Sequence, residues 1–186
     1  MTLAAELDRI AALAAAHAAA GEHVAAVIAT EPAGGRRVFL CAFEAAGSAE
    51  QAWLALDDGG APIPERARVR EAVSIAAMCE LAEETAGGGD LDDLRAQLVA
   101  LRVTEGPEGL DEAEAALDEL QAAIGSPPAV ANPARLDAIG LAARKLELEL
   151  GGAHKPSPFA EALRGATEVV DALLRDVERG YRGPLR

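Results

Sequence analysis

Three glutamates, Glu80, Glu83 and Glu84, stand close together at the end of an apolar stretch. Glu80 and Glu84 are four positions apart, so on a helix they share one face. Two carboxylates on one face are what a divalent cation such as Mg²⁺ or Mn²⁺ needs from a protein that holds it by oxygen. The other residues of chemical interest are scattered. His17, His23 and His154 have no ligand spacing among themselves, and neither Cys41 nor Cys79 completes a zinc set. There is no G-x-S-x-G elbow and no P-loop. Gly87 to Gly89 precede a helical run, but Asp90, Asp92 and Asp93 at its start repel an anion. The loop from Gly151 to Pro156 puts His154 beside Lys155 and reads as surface. No nucleophile, base and orienting group converge, so the sequence points to no catalytic or cofactor-binding residue.

The segment Cys79–Gly87 (CELAEETAG), with Arg70–Met78 (REAVSIAAM) before it, resembles the central motif of the Nudix hydrolases. In that motif an Arg-Glu-hydrophobic-X-Glu-Glu run ends a helix and binds divalent metal. Glu80, Leu81, Glu83 and Glu84 match in spacing, and Glu71 stands where the family has an earlier glutamate. The strand-like segments before the helix, ending in Trp53-Leu54, follow the family's order. The resemblance implies Glu80, Glu83 and Glu84 as ligands of Mg²⁺ or Mn²⁺ and a nucleoside-diphosphate-type substrate. Cys79 stands in place of the motif arginine, Ala86 in place of its glycine, and Glu65 where the motif begins with glycine. Two functions follow. The lack of a converging constellation favours a non-catalytic interaction or structural module. The alternative is a metal-dependent nucleoside-diphosphate-type hydrolase with a degenerate Nudix-like helix.

These glutamates belong to a helical segment from Pro64 to Ala86. Its centre, Ala72–Ala82, is apolar or small nearly all the way round, which is the pattern of a helix buried on several sides. Glu80 is the one charge in that run and is expected to need an internal partner, most simply an arginine. Before it, residues 1–20 carry a helical pattern, Leu3, Leu7, Ile10 and Ala14, with His17 on the same stripe as a packing residue and Gly21 as a stop. The period then switches to that of strands. Val24–Thr30, Arg36–Glu44 and Gln51–Asp57, separated by Gly-rich turns, predict a three-stranded antiparallel meander over 23–58, with the central helix covering one face. After it, residues 90–181 predict four helices, with Gly and Pro breaks between stripes such as Leu110, Ala113, Leu117, Leu120 and Ile124. Short breaks mean antiparallel packing. The expected fold is α+β, predominantly helical, in one domain of 186 residues: an N-terminal helix, a β-meander and an irregular helical bundle around the central helix at 64–86.

Composition narrows the partners. Hydrophobic residues make up 51% and aromatics 3%, so the core is built from Ala, Leu, Val and Ile. The net charge of −14 opposes nucleic acid and anionic membrane surfaces. Arg66, Arg68 and Arg70 are the nearest approach to a basic patch. No apolar run reaches a membrane span, and Cys41 and Cys79 lie among apolar residues, as free thiols of a cytoplasmic protein do. Val169 and Leu174 widen the apolar face of the last helix, from which a homodimer is expected.

Overall fold

Helix α1 (Leu3–Ala15) starts at Thr2, whose Oγ1 accepts the Ala5 N–H at 3.3 Å and so satisfies a donor that the first turn leaves free. It is followed by β1 (Glu22–Thr30), β2 (Val38–Ala45), β3 (Ala52–Leu56) and α2 (Arg66–Gly87). Then come α3 (Leu91–Glu105), α4 (Leu110–Ile124), α5 (Pro133–Glu149) and α6 (Pro158–Gly180). The structure, a computed structural model, describes residues 1–87, 91–105, 110–125, 128–151 and 158–186. Gly88, Gly89 and Asp90 before the next helical run, and the loop of His154 and Lys155, lie outside the described residues. The architecture is α+β and predominantly helical, in the predicted order. No helix among the described residues is long and apolar enough to cross a membrane. Contacts divide the chain into two compact units, Met1–Ala77 with Pro127–Pro133 and Glu168–Arg186, and Met78–Ser126 with Ala134–Thr167; the boundary falls inside α2 and α6.

The first unit holds the sheet, ordered β1-β2-β3 and antiparallel throughout. Phe39, Cys41 and Phe43 of β2 pair with Leu56, Leu54 and Ala52, and their face packs with Ile10 and Ala14 of α1. A bulge between Val24 and Ala26 shifts the β1 register by one. That shift puts both Val24 and Val27 on the α1 side although they are three residues apart; an unbroken strand would turn one of them over. The opposite face, Val38, Leu40 and Ala42, is buried too. The helical segments of this unit outside α1 carry the buried Val69, Ala72 and Val73 of α2 and the buried Val170, Leu174 and Val177 of α6. The sheet is therefore buried on both faces, and it is α1 that covers the Phe39–Phe43 face where sequence placed a single cover from the central helix. Both sheet edges are touched by other segments of the chain. Ala131 bridges Thr30, and Tyr181 bridges Trp53, which blunts edges that otherwise invite pairing with another chain.

The second unit is a bundle with its own core. Leu98 of α3, Ala113, Ala116, Leu117 and Leu120 of α4, Ile139, Ala142, Ala143 and Leu146 of α5, and Phe159 of α6 pack with Ala82 of α2. So many alanines let helices approach closely, and Phe159 supplies the one bulky ring.

Three sequence expectations change. Glu80 is exposed although it continues the stripe of Val69 and Val73 seven residues on, because beyond Ala77 the buried side of α2 is that of Cys79 and Ala82. His17 is exposed beyond the end of α1, where its carbonyl accepts Arg182 Nη1 at 2.7 Å. Leu174 is buried, while Val169 is 59% exposed.

Candidate functional site

The helix carboxylates do not assemble into one site among the described residues. Glu80 and Glu84 are exposed. Glu83 accepts Arg135 Nε at 2.8 Å and Nη2 at 2.6 Å. Arg135 also donates to the carbonyl of Ile124 at the end of α4, one of the acceptors that a helix C-terminus leaves open. The Glu83–Arg135 pair, inside the second unit, is thus a helix-end clasp. Among the described residues there is no group of three His, Cys, Asp or Glu side chains placed to hold a metal. Glu71 has a structural partner of its own, accepting the Ala33 N–H at 3.2 Å and pinning the turn between β1 and β2.

That pinned turn builds a polar concavity in the first unit. The turn delivers Arg36 and Arg37, α1 delivers Glu6, the end of β1 delivers Glu31, the end of β3 delivers Asp58, and α2 delivers Arg68. They line a cleft of about 430 Å³. Part of its charge is already matched. Arg37 Nη1 meets Glu6 Oε2 at 2.5 Å. Asp57 Oδ1, also in the cleft, accepts the N–H groups of Gly59 (2.9 Å) and Ala61 (2.8 Å), which closes the turn after β3. Arg9 Nη2 donates to the carbonyl of Asp58 at 2.7 Å. Arg68 reaches the carbonyl of Arg37 at 3.5 Å, at the limit of a hydrogen bond. The guanidinium groups of Arg36 and Arg68 and the carboxylates of Glu31 and Asp58 have no ion pair among the described residues.

The fold splits the run Arg66, Arg68 and Arg70. Arg66 and Arg70, four apart, meet Glu178 at 3.3 and 3.0 Å, whereas Arg68 turns into the cleft. In the sequence, Arg36 and Arg37 stand at the start of a predicted strand. The signal for them was slight: two adjacent arginines directly after Gly34-Gly35, 31 residues from their neighbour Arg68.

A second concavity of about 370 Å³ lies between the start of β3 and the end of α6, lined by Trp53, Leu173, Glu50, Asp176 and Arg179. The α6 backbone comes close to β3 here. Arg182 N donates to Trp53 O at 2.8 Å. Tyr181 Oη accepts the Ala55 N–H at 3.2 Å and donates to Ile63 O at 2.7 Å. Burial raises the Tyr181 phenol above its ordinary 10.0, against the lowering effect of the Ala55 hydrogen bond. Burial likewise pushes the Cys41 thiol from 9.0 up to about 12, so it stays protonated and inert.

Comparison with protein-family models, with curated proteins and with solved structures finds no match. The Nudix resemblance therefore rests on the residues of α2 and the order of the strands before it, and the named elements after α2 among the described residues are helices where that family has strands.

Proposed function

We propose that this protein is a non-catalytic interaction module that pairs with a second copy of itself through α5. One observation carries the reading: the outward face of α5 is an apolar stripe. Leu141 is 73% exposed and Leu148 47%, with Ala134 and Ala138 exposed beside them. The inward face, Ile139, Ala142, Ala143 and Leu146, fills the bundle core, so the stripe is surplus to the unit's own packing. Of the two residues that widen the apolar face of α6 in the sequence, Val169 is exposed and Leu174 is buried, so α5 offers the broader face.

The stripe is self-complementary. Ala134, Leu141 and Leu148 are seven apart and lie nearly on one line of the helix. An antiparallel pairing about a two-fold axis at Leu141 sets Leu141 on its own copy and Ala134 against Leu148, small against large. Asp137 and Arg144 lie on one flank, about 6 Å and about 4.5 Å from Leu141 along the axis at 1.5 Å per residue. The two-fold therefore brings each Asp137 beside Arg144 of the partner subunit. Both are exposed, and neither has an ion pair within its own chain among the described residues. A closed two-fold dimer is the commonest homo-oligomer. The buried free thiols suit the reducing cytoplasm, and the net charge of −14 disfavours nucleic acid as a partner.

Light scattering on the eluted protein tests this. The expected mass is twice 19.1 kDa at micromolar concentration. Leu141→Glu should give the monomer, Asp137→Arg should weaken the dimer, and Asp137→Arg with Arg144→Asp should restore it. A monomeric wild type, or a double variant that stays apart, refutes the pairing. Mg²⁺- or Mn²⁺-dependent hydrolysis of nucleoside diphosphate derivatives, abolished by Glu84→Gln, would overturn the non-catalytic reading.

A further inference from the structure

Trp53 is the only tryptophan of the chain, and the fold leaves it partly exposed on the wall of the 370 Å³ cavity. Ala52, Leu54 and Leu56 of β3 pack on the α1 side, so the alternation of a strand turns Trp53 to the other face of the sheet. The last turns of α6 supply the facing wall. Leu173, Asp176 and Gly180 are three and four residues apart, hence on one helix face, and all three line the cavity with Trp53. Both walls belong to the first unit, and they are fixed to each other. Arg182 N donates to Trp53 O at 2.8 Å, and Gly180 has no side chain to hold the helix end away from Gln51. The charges around these walls are not balanced. Asp176 meets Arg179 at 3.4 Å, and the two cancel. The Glu50 carboxylate has no ion pair or hydrogen bond among the described residues, although its backbone N–H is held by Ser48 Oγ at 3.1 Å. The Gln51 amide beside it is turned to Glu44, Nε2 to Oε1, at 2.6 Å. The C-terminus of α6, which carries partial negative charge, ends here as well.

We propose that this cavity binds a small organic cation of the alkylated-ammonium class, with Trp53 and Glu50 meeting its charge and Leu173 and Ala49 its alkyl groups. An indole attracts a cation through its ring quadrupole, and the unpaired carboxylate and the helix end favour the same sign. An anion would face Glu50, the α6 C-terminus and the field of a protein of net charge −14. Arg179 offers an anion little, because Asp176 already stands beside it. A primary ammonium brings three N–H donors, and of the cavity's two carboxylates Glu50 alone is without a partner, so much of its hydration would be lost without replacement. An alkylated ammonium has fewer donors or none to satisfy, and its methyl groups suit apolar walls. The cavity falls within the range of small-molecule sites. Its frame is preorganised by the Arg182–Trp53 and Ser48–Glu50 hydrogen bonds, which spares a ligand the entropy of ordering it.

The test uses the full chain with choline as the probe. Emission of Trp53 reports from the cavity alone, because the chain has no other tryptophan. Choline should change that emission saturably, with a Kd on the order of millimolar for one aromatic wall and one carboxylate. Acetate and the neutral analogue of choline, with carbon in place of nitrogen, should bind at least about threefold more weakly, the loss of the cation–indole attraction. In calorimetric titration Glu50→Gln should weaken choline binding about threefold or more. Arg179→Gln removes the competing cation and should strengthen it; an anion site would show the opposite pair of signs. Glu50 and Arg179 are both exposed, so these variants keep the fold. Trp53→Leu, with an unchanged circular dichroism spectrum, should abolish binding. The proposal fails if choline leaves the emission unchanged, if the neutral analogue binds as tightly, if Arg179→Gln weakens binding, or if a folded Trp53→Leu binds as the wild type does.

Discussion

Alanine substitution at two glycines of the same helix should have opposite effects. Gly180 closes α6 where the helix runs onto the start of β3. A Cβ placed there would sit well inside van der Waals contact of Gln51 O and 3.5 Å from Ala52 Cα. Both obstacles are backbone, and the backbone is not free to retreat. Arg182 N is bonded to Trp53 O at 2.8 Å, and Tyr181 Oη bridges Ala55 N and Ile63 O. Helix propensity alone would make alanine better than glycine by up to about 1 kcal/mol. Forcing a methyl into a filled contact costs about 1–3 kcal/mol and outweighs that gain. At Gly165, in the middle of α6, nothing lies within 4 Å of the added Cβ, so only the propensity term acts. Gly180→Ala should therefore lower the melting temperature by about 2–10 °C, and Gly165→Ala should raise it by about 1–4 °C, using about 2–4 °C per kcal/mol for a chain of this size. Thermal melts of the two variants beside the wild type decide it. If Gly180→Ala is as stable as the wild type, the close approach of α6 to β3 is refuted.

Tyr181→Phe removes an acceptor from the Ala55 N–H and a donor to Ile63 O, so urea unfolding should show a loss of about 1–3 kcal/mol; no change would mean water replaces the hydroxyl without cost. Alkali should act through the same region. Cys41 and Tyr181 both have folded pKa values raised above 9.0 and 10.0, Cys41 to about 12. Their neutral forms stabilise the fold fully below those ordinary values, and that stability is lost as pH rises through the raised ones. Stability should fall between about pH 9 and about pH 12, less steeply in Cys41→Ala relative to its own neutral-pH value; a flat profile would show that burial does not oppose ionisation. On α2, Glu80→Ala should change stability by no more than about 0.5 kcal/mol, as at other exposed positions. Glu83→Ala should cost about 1–3 kcal/mol, because it strips Arg135 of its carboxylate. Equal effects in urea unfolding would contradict the different surroundings of these two glutamates.

Local pattern determined the element order. The spacing of Leu3, Leu7, Ile10 and Ala14, the short apolar run around Phe39 and Phe43, and the Gly-Pro breaks between the later stripes are signals of a few residues each. Each survives whatever the rest of the chain does, so α1, the meander and the helices are legible without coordinates. What the pattern did not determine is which way a stripe faces. Ala72–Ala82 is mostly alanine and other small or apolar residues, which carry little information about direction, and only the packed neighbours decide that Glu80 looks outward while Ala82 enters the bundle core. The same holds for α6, where Leu174 turned inward and Val169 did not. The bulge in β1 is invisible for a related reason: Val24 and Val27 share a face only because the register slips between them. The charged cleft lies furthest from sequence reasoning. Glu6, Arg36, Asp58 and Arg68 come from a helix, a turn, a strand end and another helix. No local period links them, and chain folding alone brings them to one cavity.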